Sequence, residues 1–279
     1  MAEEIRKMPK IIEQFIKGKI SEEKCEDRLV ITDDFVAVID GVSSKSSYLD
    51  DGKTTGNIAA GLIEDVIKSM PFDIDFNGFI ESVNSSYKNY YEKSSFDLDV
   101  MKYGLQAMAV VFSKNAKEIW LIGDCVALIN DDYYTNPKPS DIVLEELRSL
   151  KAHIDLKAKD MSEKDYFDEN EPSRKLIEPL IVDATVFAND DSSRWGYSVL
   201  NGEDIPINLC KIINVKNKDV VVLASDGYPK VFKSLKESEE NLKKTIDDDP
   251  YFYKKFISTK GLKPGQISYD DRSYVKFEV

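Results

Sequence analysis

The sequence has 279 residues, of which 42% are hydrophobic and 32% charged, and its net charge is −13. That length buries a sizeable core and that balance excludes global disorder, while the acid excess excludes sequence-independent binding to a nucleic-acid backbone. Apolar runs such as Val220–Ala224 fall far short of the roughly 20 residues that cross a bilayer, and residues 1–7 carry no apolar signal stretch.

Residues 11–16 are mostly apolar with three β-branched side chains and predict an early strand. Segments 29–31 and 35–39 flank the turn-like Thr32-Asp33-Asp34 and predict a hairpin. From 54 to 70 the apolar positions Ile58, Ala59, Leu62, Ile63, Val66 and Ile67 recur at helical spacing, and 75–91 gives a second amphipathic helix. Segments 105–112 and 118–129 read as two strands joined by the polar turn 113–117. Residues 137–205 mix helix-like pieces with Pro, Asp and Ser clusters and predict a helix followed by a mobile excursion over the site. A continuous apolar strand at Val220–Ala224, a helix over 230–242 and a closing strand over 272–279 complete the chain. Strands and helices come in blocks, which predicts an α+β fold with antiparallel sheets, organised as one domain over 1–279.

The three cysteines, Cys25, Cys125 and Cys210, share no close spacing, so they predict small buried residues, with neither disulfides nor a thiolate zinc site. The sole histidine, His153, lies in a Lys-rich helical stretch and reads as a solvated surface residue, which excludes a Ser-His-Asp triad or a multi-histidine metal site.

The acids carry the chemistry. With the first hairpin turn centred on Asp33 and Asp34, antiparallel pairing sets Asp27 opposite Asp40. Asp124 follows the apolar run 120–122, Asp226 follows Val220–Ala224, and Asp270 precedes the last strand, so acids recur where strands end. A single Asp at a strand end is a turn former, but four or five converging carboxylates repel one another unless a cation intervenes. Oxygen ligands alone point to Mg²⁺ or Mn²⁺.

Glu26-Asp27, Asp40-Gly41, Gly123-Asp124, Ser225-Asp226-Gly227 and Asp270-Asp271-Arg272-Ser273 resemble, in order and spacing, the motifs of the PP2C (PPM) serine/threonine phosphatases. The resemblance runs from about residue 25 to 279. It implies a four-layer αββα sandwich of two antiparallel sheets flanked by helices, with two Mg²⁺ or Mn²⁺ ions at one edge. It further implies that Asp40 bridges the ions, Gly41 offers its carbonyl, Asp226 and Asp270 hold one ion, Glu26 and Asp27 bind through water, and Asp124 serves a weaker third ion. Asp40 and Asp226 would then be the residues on which catalysis depends. Asp271 stands where the family has Asn, and the adjacent acids leave Asp270 and Asp271 as alternatives for one ligand. The activity implied is hydrolysis of phosphoserine and phosphothreonine in proteins by a metal-activated water, in the cytoplasm, with a phosphoprotein substrate and a cognate Ser/Thr kinase as partners and neither nucleic acid nor membrane.

The chain also departs from the family. Val42-Ser43-Ser44 replaces His-Gly-Gly after Asp40-Gly41, an upstream phosphate-binding Arg is missing with Glu22 near its place, and Lys230 falls where some members have a further metal Asp. These losses keep two other readings open: a catalytically weak pseudophosphatase that binds phosphoproteins, and a small-molecule phosphomonoesterase using the same metals. Lys53, ahead of a predicted helix start, is a candidate phosphate contact, whereas the Gly-Lys-Thr-Thr string lacks the strand and first glycine of a P-loop.

Overall fold

The computed structural model describes residues 8–279, so the stretch read for a signal, residues 1–7, lies outside the described residues. Strands β1 (Lys10–Lys17), β2 (Asp27–Ile31) and β3 (Phe35–Gly41) precede helices α1 (Thr55–Ser69), α2 (Phe76–Lys93) and α3 (Val100–Tyr103). Next come β4 (Ala107–Ser113), β5 (Glu118–Ile122), β6 (Val126–Ile129) and β7 (Asp132–Thr135), then α4 (Pro139–Lys159), α5 (Glu163–Glu169) and α6 (Pro172–Asp183). The order ends with β8 (Lys211–Asn214), β9 (Val220–Ala224), α7 (Leu235–Asp248) and β10 (Arg272–Glu278).

The strands form two five-stranded sheets, ordered β1-β10-β9-β6-β7 and β2-β3-β4-β5-β8. Their ladders are antiparallel, for example β2 with β3 and β9 with β10. Period-two alternation sorts each central strand onto two faces. Val36, Val38, Val110, Phe112, Leu121, Val221, Leu223, Val275 and Phe277 pack between the sheets. Their sequence neighbours Ala37, Ile39, Val111 and Trp120 face the other way, onto Ala59, Ile63, Phe79 and Val83 of α1 and α2. On the far side Val222, Ala224 and Tyr274 pack against Leu242 of α7 and Phe252. Strands buried on both faces explain the continuous apolar runs, and the result is the α+β sandwich with helices outside both sheets.

Three expectations need correction. The run 118–129 is not one strand: it breaks at Gly123, with β5 pairing to β4 and β8 while β6 crosses to the other sheet beside β7 and β9. Gly123 has φ +78°, a left-handed value that stops the ladder. The helix expected over 230–242 starts later, at Leu235, where Ser234 Oγ accepts from Glu237 N at 3.2 Å and donates to its carboxylate at 2.7 Å. Residues 137–205 are more regular than an irregular excursion, because α4, α5 and α6 occupy much of the segment. Arg148 of α4 is fully buried and ties those helices to the 251–258 segment. It donates to Glu171 at 2.5 Å and to the carbonyls of Tyr251, Phe252 and Ser258 at 2.8–2.9 Å.

His153 is exposed, with Nδ1 2.9 Å from the Ser149 carbonyl. All three cysteines are free, Cys25 and Cys125 buried and Cys210 partly so. Among the described residues no helix is long and apolar enough to cross a membrane.

Candidate metal centre

The acids reach one cleft because strand register puts them there. Thr32 Oγ1 accepts from Phe35 N at 2.9 Å and closes the first turn, and the resulting β2–β3 register pairs Asp27 with Asp40. β9 and β10 pair Ala224 with Tyr274, so Asp226 just past one strand and Asp270 just before the other fall at the same end. Asp124 sits where the chain leaves one sheet for the other. A Cβ at Gly123 would lie 2.0 Å from Met108 Sδ, and Gly123 N donates to Ser198 Oγ at 2.9 Å, so the crossing point is fixed and tight.

Asp40, Asp124 and Asp226 each present a carboxylate oxygen, all within 4.8 Å of one another. Burial first, and then the neighbouring acids, raise all three: Asp124 is pushed up to about 7, and Asp40 and Asp226 also titrate above the ordinary carboxylate range. Asp226 Oδ1 is buried with no hydrogen-bond partner. Carboxylates this close, with an acceptor left unpaired, fit a divalent cation, and the all-oxygen donor set suits Mg²⁺ or Mn²⁺.

The other acids are engaged differently. Asp27 is buried, and its Oδ2 accepts from Ser225 Oγ at 2.7 Å and Ser273 Oγ at 2.9 Å, tying β2 to the ends of β9 and β10, while Oδ1 has no partner. Burial pushes its carboxyl up to about 8. Glu26 accepts from Thr54 Oγ1 at 2.6 Å, Ser43 Oγ at 2.8 Å and Lys19 Nζ at 3.4 Å. Thr54 also caps α1, so Glu26 sits at that helix's N-terminus, and Gly56 leaves it room: a Cβ there would be 3.0 Å from Glu26 Oε1. Gly41 is buried against Gly56 and lines the cleft.

The two adjacent acids divide their work. Asp271 accepts from the backbone amides of Lys19 at 2.6 Å and Glu26 at 2.9 Å, a structural task. Asp270 lines the cleft, where Oδ1 accepts from Lys19 Nζ at 2.9 Å and Oδ2 is paired with Lys260 Nζ. Burial alone would raise its pKa, but Lys260 and Lys19 outweigh it and hold the carboxyl well below the usual range.

The cleft, about 160 Å³, has a cationic wall that the sequence did not disclose: Lys45, Lys102, Lys138, Arg174 and Lys260 line it with the acids. Lys138 and Arg174 come from the helical region, which therefore does form part of the site. Burial and the neighbouring Lys260 and Arg174 lower Lys45 to about 8. Lys53, Glu22 and Lys230 are exposed and none of them lines the cleft. Val42 does line it, offering an apolar side chain beside Asp40 and Gly41.

Nearly the whole chain aligns with solved bacterial serine/threonine phosphatases. The Mycobacterium tuberculosis phosphatase PstP matches with a TM-score of 0.48 at 13% identity, over 98% of this chain and 99% of that one. The Mycobacterium smegmatis PPM phosphatase MsPP, solved with cacodylate, gives 0.48 at 12% identity, covering 97% and 99%. Staphylococcus aureus Stp1 gives 0.47 at 14%, covering 96% and 94%. No protein-family model matches the sequence and no curated protein does.

Proposed function

We propose that the chain is a metal-dependent phosphatase of the PP2C type, hydrolysing phosphoserine and phosphothreonine in proteins. The observation that carries this reading is the convergence of Asp40, Asp124 and Asp226 within 4.8 Å, from three separate strand ends, in a cleft that Lys45, Lys102, Lys138, Arg174 and Lys260 also line. Asp40, Asp124 and Asp226 would hold Mg²⁺ or Mn²⁺. When bound, the ion would neutralise charge on a phosphoryl group and make water acidic enough to attack it.

The chain's own residues supply the rest. Lys45, Arg174 and Lys260 would orient a phosphate dianion over the acids, which alone would repel it. Gly41 and Gly56 allow the main chain of β3 and α1 to approach closely: a Cβ on Gly41 would stand 2.3 Å from the Gly56 carbonyl. That approach keeps Asp40 beside the cap of α1. Val42 has no proton to give a leaving group, so rates should fall steeply from aryl to alkyl phosphates.

The test is hydrolysis of p-nitrophenyl phosphate and of a phosphothreonine peptide, each with Mn²⁺ and with EDTA. Manganese-dependent turnover of both supports the proposal. Turnover of the aryl ester alone would replace the protein substrate with a small phosphomonoester, and phosphopeptide binding without turnover would make the chain a pseudophosphatase.

A further inference from the structure

The resemblance to the PP2C phosphatases implies two ions, one of them held by Asp226 and Asp270, yet the side chains around Asp270 do not present an open ligand. Oδ1 already accepts from Lys19 Nζ at 2.9 Å and from Asp271 N at 3.0 Å, and Oδ2 is paired with Lys260. Lys19 is not a passing surface cation. Its Nζ also lies 3.0 Å from Ser43 Oγ, 3.4 Å from Glu26 and 3.5 Å from Asp271, and its side chain is 15% exposed. Its main chain is pinned independently, since Lys19 N donates to Asp271 Oδ1 and its carbonyl accepts from Ile267 N at 3.0 Å. Glu26, expected to serve an ion through water, is committed to Thr54, Ser43 and Lys19.

We infer that the ammonium groups of Lys19 and Lys260 take the cation position beside Asp270, so that the cleft binds one divalent ion, at Asp40, Asp124 and Asp226, and not two. The inference rests on the metal-dependent reading above. Two lysines carry the same formal charge as one divalent ion, so Asp270 is neutralised without metal, and a second dication placed there would meet two ammonium groups at close range. The unpaired acceptor tells the same story, because Asp226 Oδ1 has no partner while both oxygens of Asp270 do. Lys260, which lines the cleft, would hold a phosphate from the Asp270 side as a point charge, with the exchangeable ion opposite.

The experiment is a Mn²⁺ titration by calorimetry, with electron paramagnetic resonance of the loaded protein, on the native chain and on Lys19→Met/Lys260→Met. The expected result is one Mn²⁺ per native chain with the spectrum of an isolated ion, and a second, exchange-coupled Mn²⁺ in the double variant. Two coupled ions in the native chain would overturn the inference and leave the metal-dependent reading standing, as would one ion in both proteins for the part assigned to the lysines. No bound Mn²⁺ in the native chain would bring down the metal-dependent reading itself. Circular dichroism checks folding, and if the methionine pair does not fold, Lys19→Gln/Lys260→Gln removes the charges while keeping hydrogen-bond donors, with the same outcomes.

Discussion

Asp124 and Asp270 face the same cleft and both act on Asp226, yet their carboxyls behave in opposite ways. Burial with Asp226 and Asp141 nearby pushes Asp124 up to about 7, whereas Lys260 and Lys19 hold Asp270 well below the ordinary range. Burial is common to both, so the cations in contact decide the charge. On the Asp124 side the neighbouring cation, Lys138, pairs with Asp141 at 3.6 Å and does not offset the burial of Asp124, which suits that side to an exchangeable ion. The Asp270 side already has its own cations.

The most severe way to break this contrast is Asp226→Asn, which removes the acid that both sides share. Manganese binding should be lost and metal-dependent hydrolysis should fall by at least about 10³-fold, equivalent to roughly 4 kcal/mol of transition-state stabilisation. Thermal stability in EDTA should hold or rise, because a repelling charge is gone; retained hydrolysis in this variant would refute the assignment.

Arg148→Met attacks the other side, through the 251–258 segment that leads to Lys260. It would leave Glu171 buried without its ion-pair partner, remove the Arg148 donors to the Tyr251 and Ser258 carbonyls, and leave the Phe252 carbonyl with only its bond from Ser258 N. Breaking such a buried pair costs about 3–5 kcal/mol, to be read from urea unfolding. A change below about 1 kcal/mol, the level of exposed ion pairs, would show that the segment is anchored elsewhere.

A subtler effect is the pH dependence of the metal-free protein. Asp124 has a folded pKa of about 7 against an ordinary 3.8, so between those values the folded state holds more protons than the unfolded one and stability falls as pH rises. Asp270 runs the other way: its lowered pKa contributes stability above the ordinary range that is lost on acidification below it. Melting temperatures in EDTA should therefore decline from about pH 4 to pH 7, and Asp124→Asn should flatten that decline. Mn²⁺ should raise the melting temperature more at pH 7 than at pH 5, since protons compete for the same oxygens.

The smallest effect should come from Lys45→Met on the cationic wall. With Lys45 lowered to about 8, its charge is present below that pH and lost above it. Michaelis constants for phosphomonoesters should rise by up to about tenfold, near 1.4 kcal/mol, and the native protein should show the same rise as pH passes 8. A Michaelis constant unchanged in the variant would remove Lys45 from substrate binding.

Local pattern made part of this arrangement legible. Thr32-Asp33-Asp34 announced a turn, and with the turn placed, the pairing of Asp27 with Asp40 followed by counting. The antiparallel neighbours β9 and β10 likewise brought Asp226 and Asp270 to one end. The break at Gly123 had a signal, a glycine inside an apolar run, and the start of α7 had another, the Ser234-to-Glu237 capping pattern. Lys19 and Lys260 had none. Lys19 meets Asp270 from 251 residues away, and nothing in either local sequence marks one lysine as buried among acids and another as solvated. The helical wall was equally hidden, because α5 is short and α6 carries an internal proline, Pro179, which blurred the periodic signal.

The pairing of β1 with β10 sets a timetable for the molecule. Lys17 pairs with Arg272, and Lys19 N finds Asp271 252 residues further along the chain. At roughly 5–20 residues per second, the first strand waits roughly 10–50 s on the ribosome for the partner that covers its edge. Contacts of such long range form slowly even in the finished chain. During that interval Ile12 and Ile16, which remain exposed in the folded state, lie on a strand with both edges open. Its charged residues Lys10, Glu13 and Lys17 then act as guards against premature pairing with other chains.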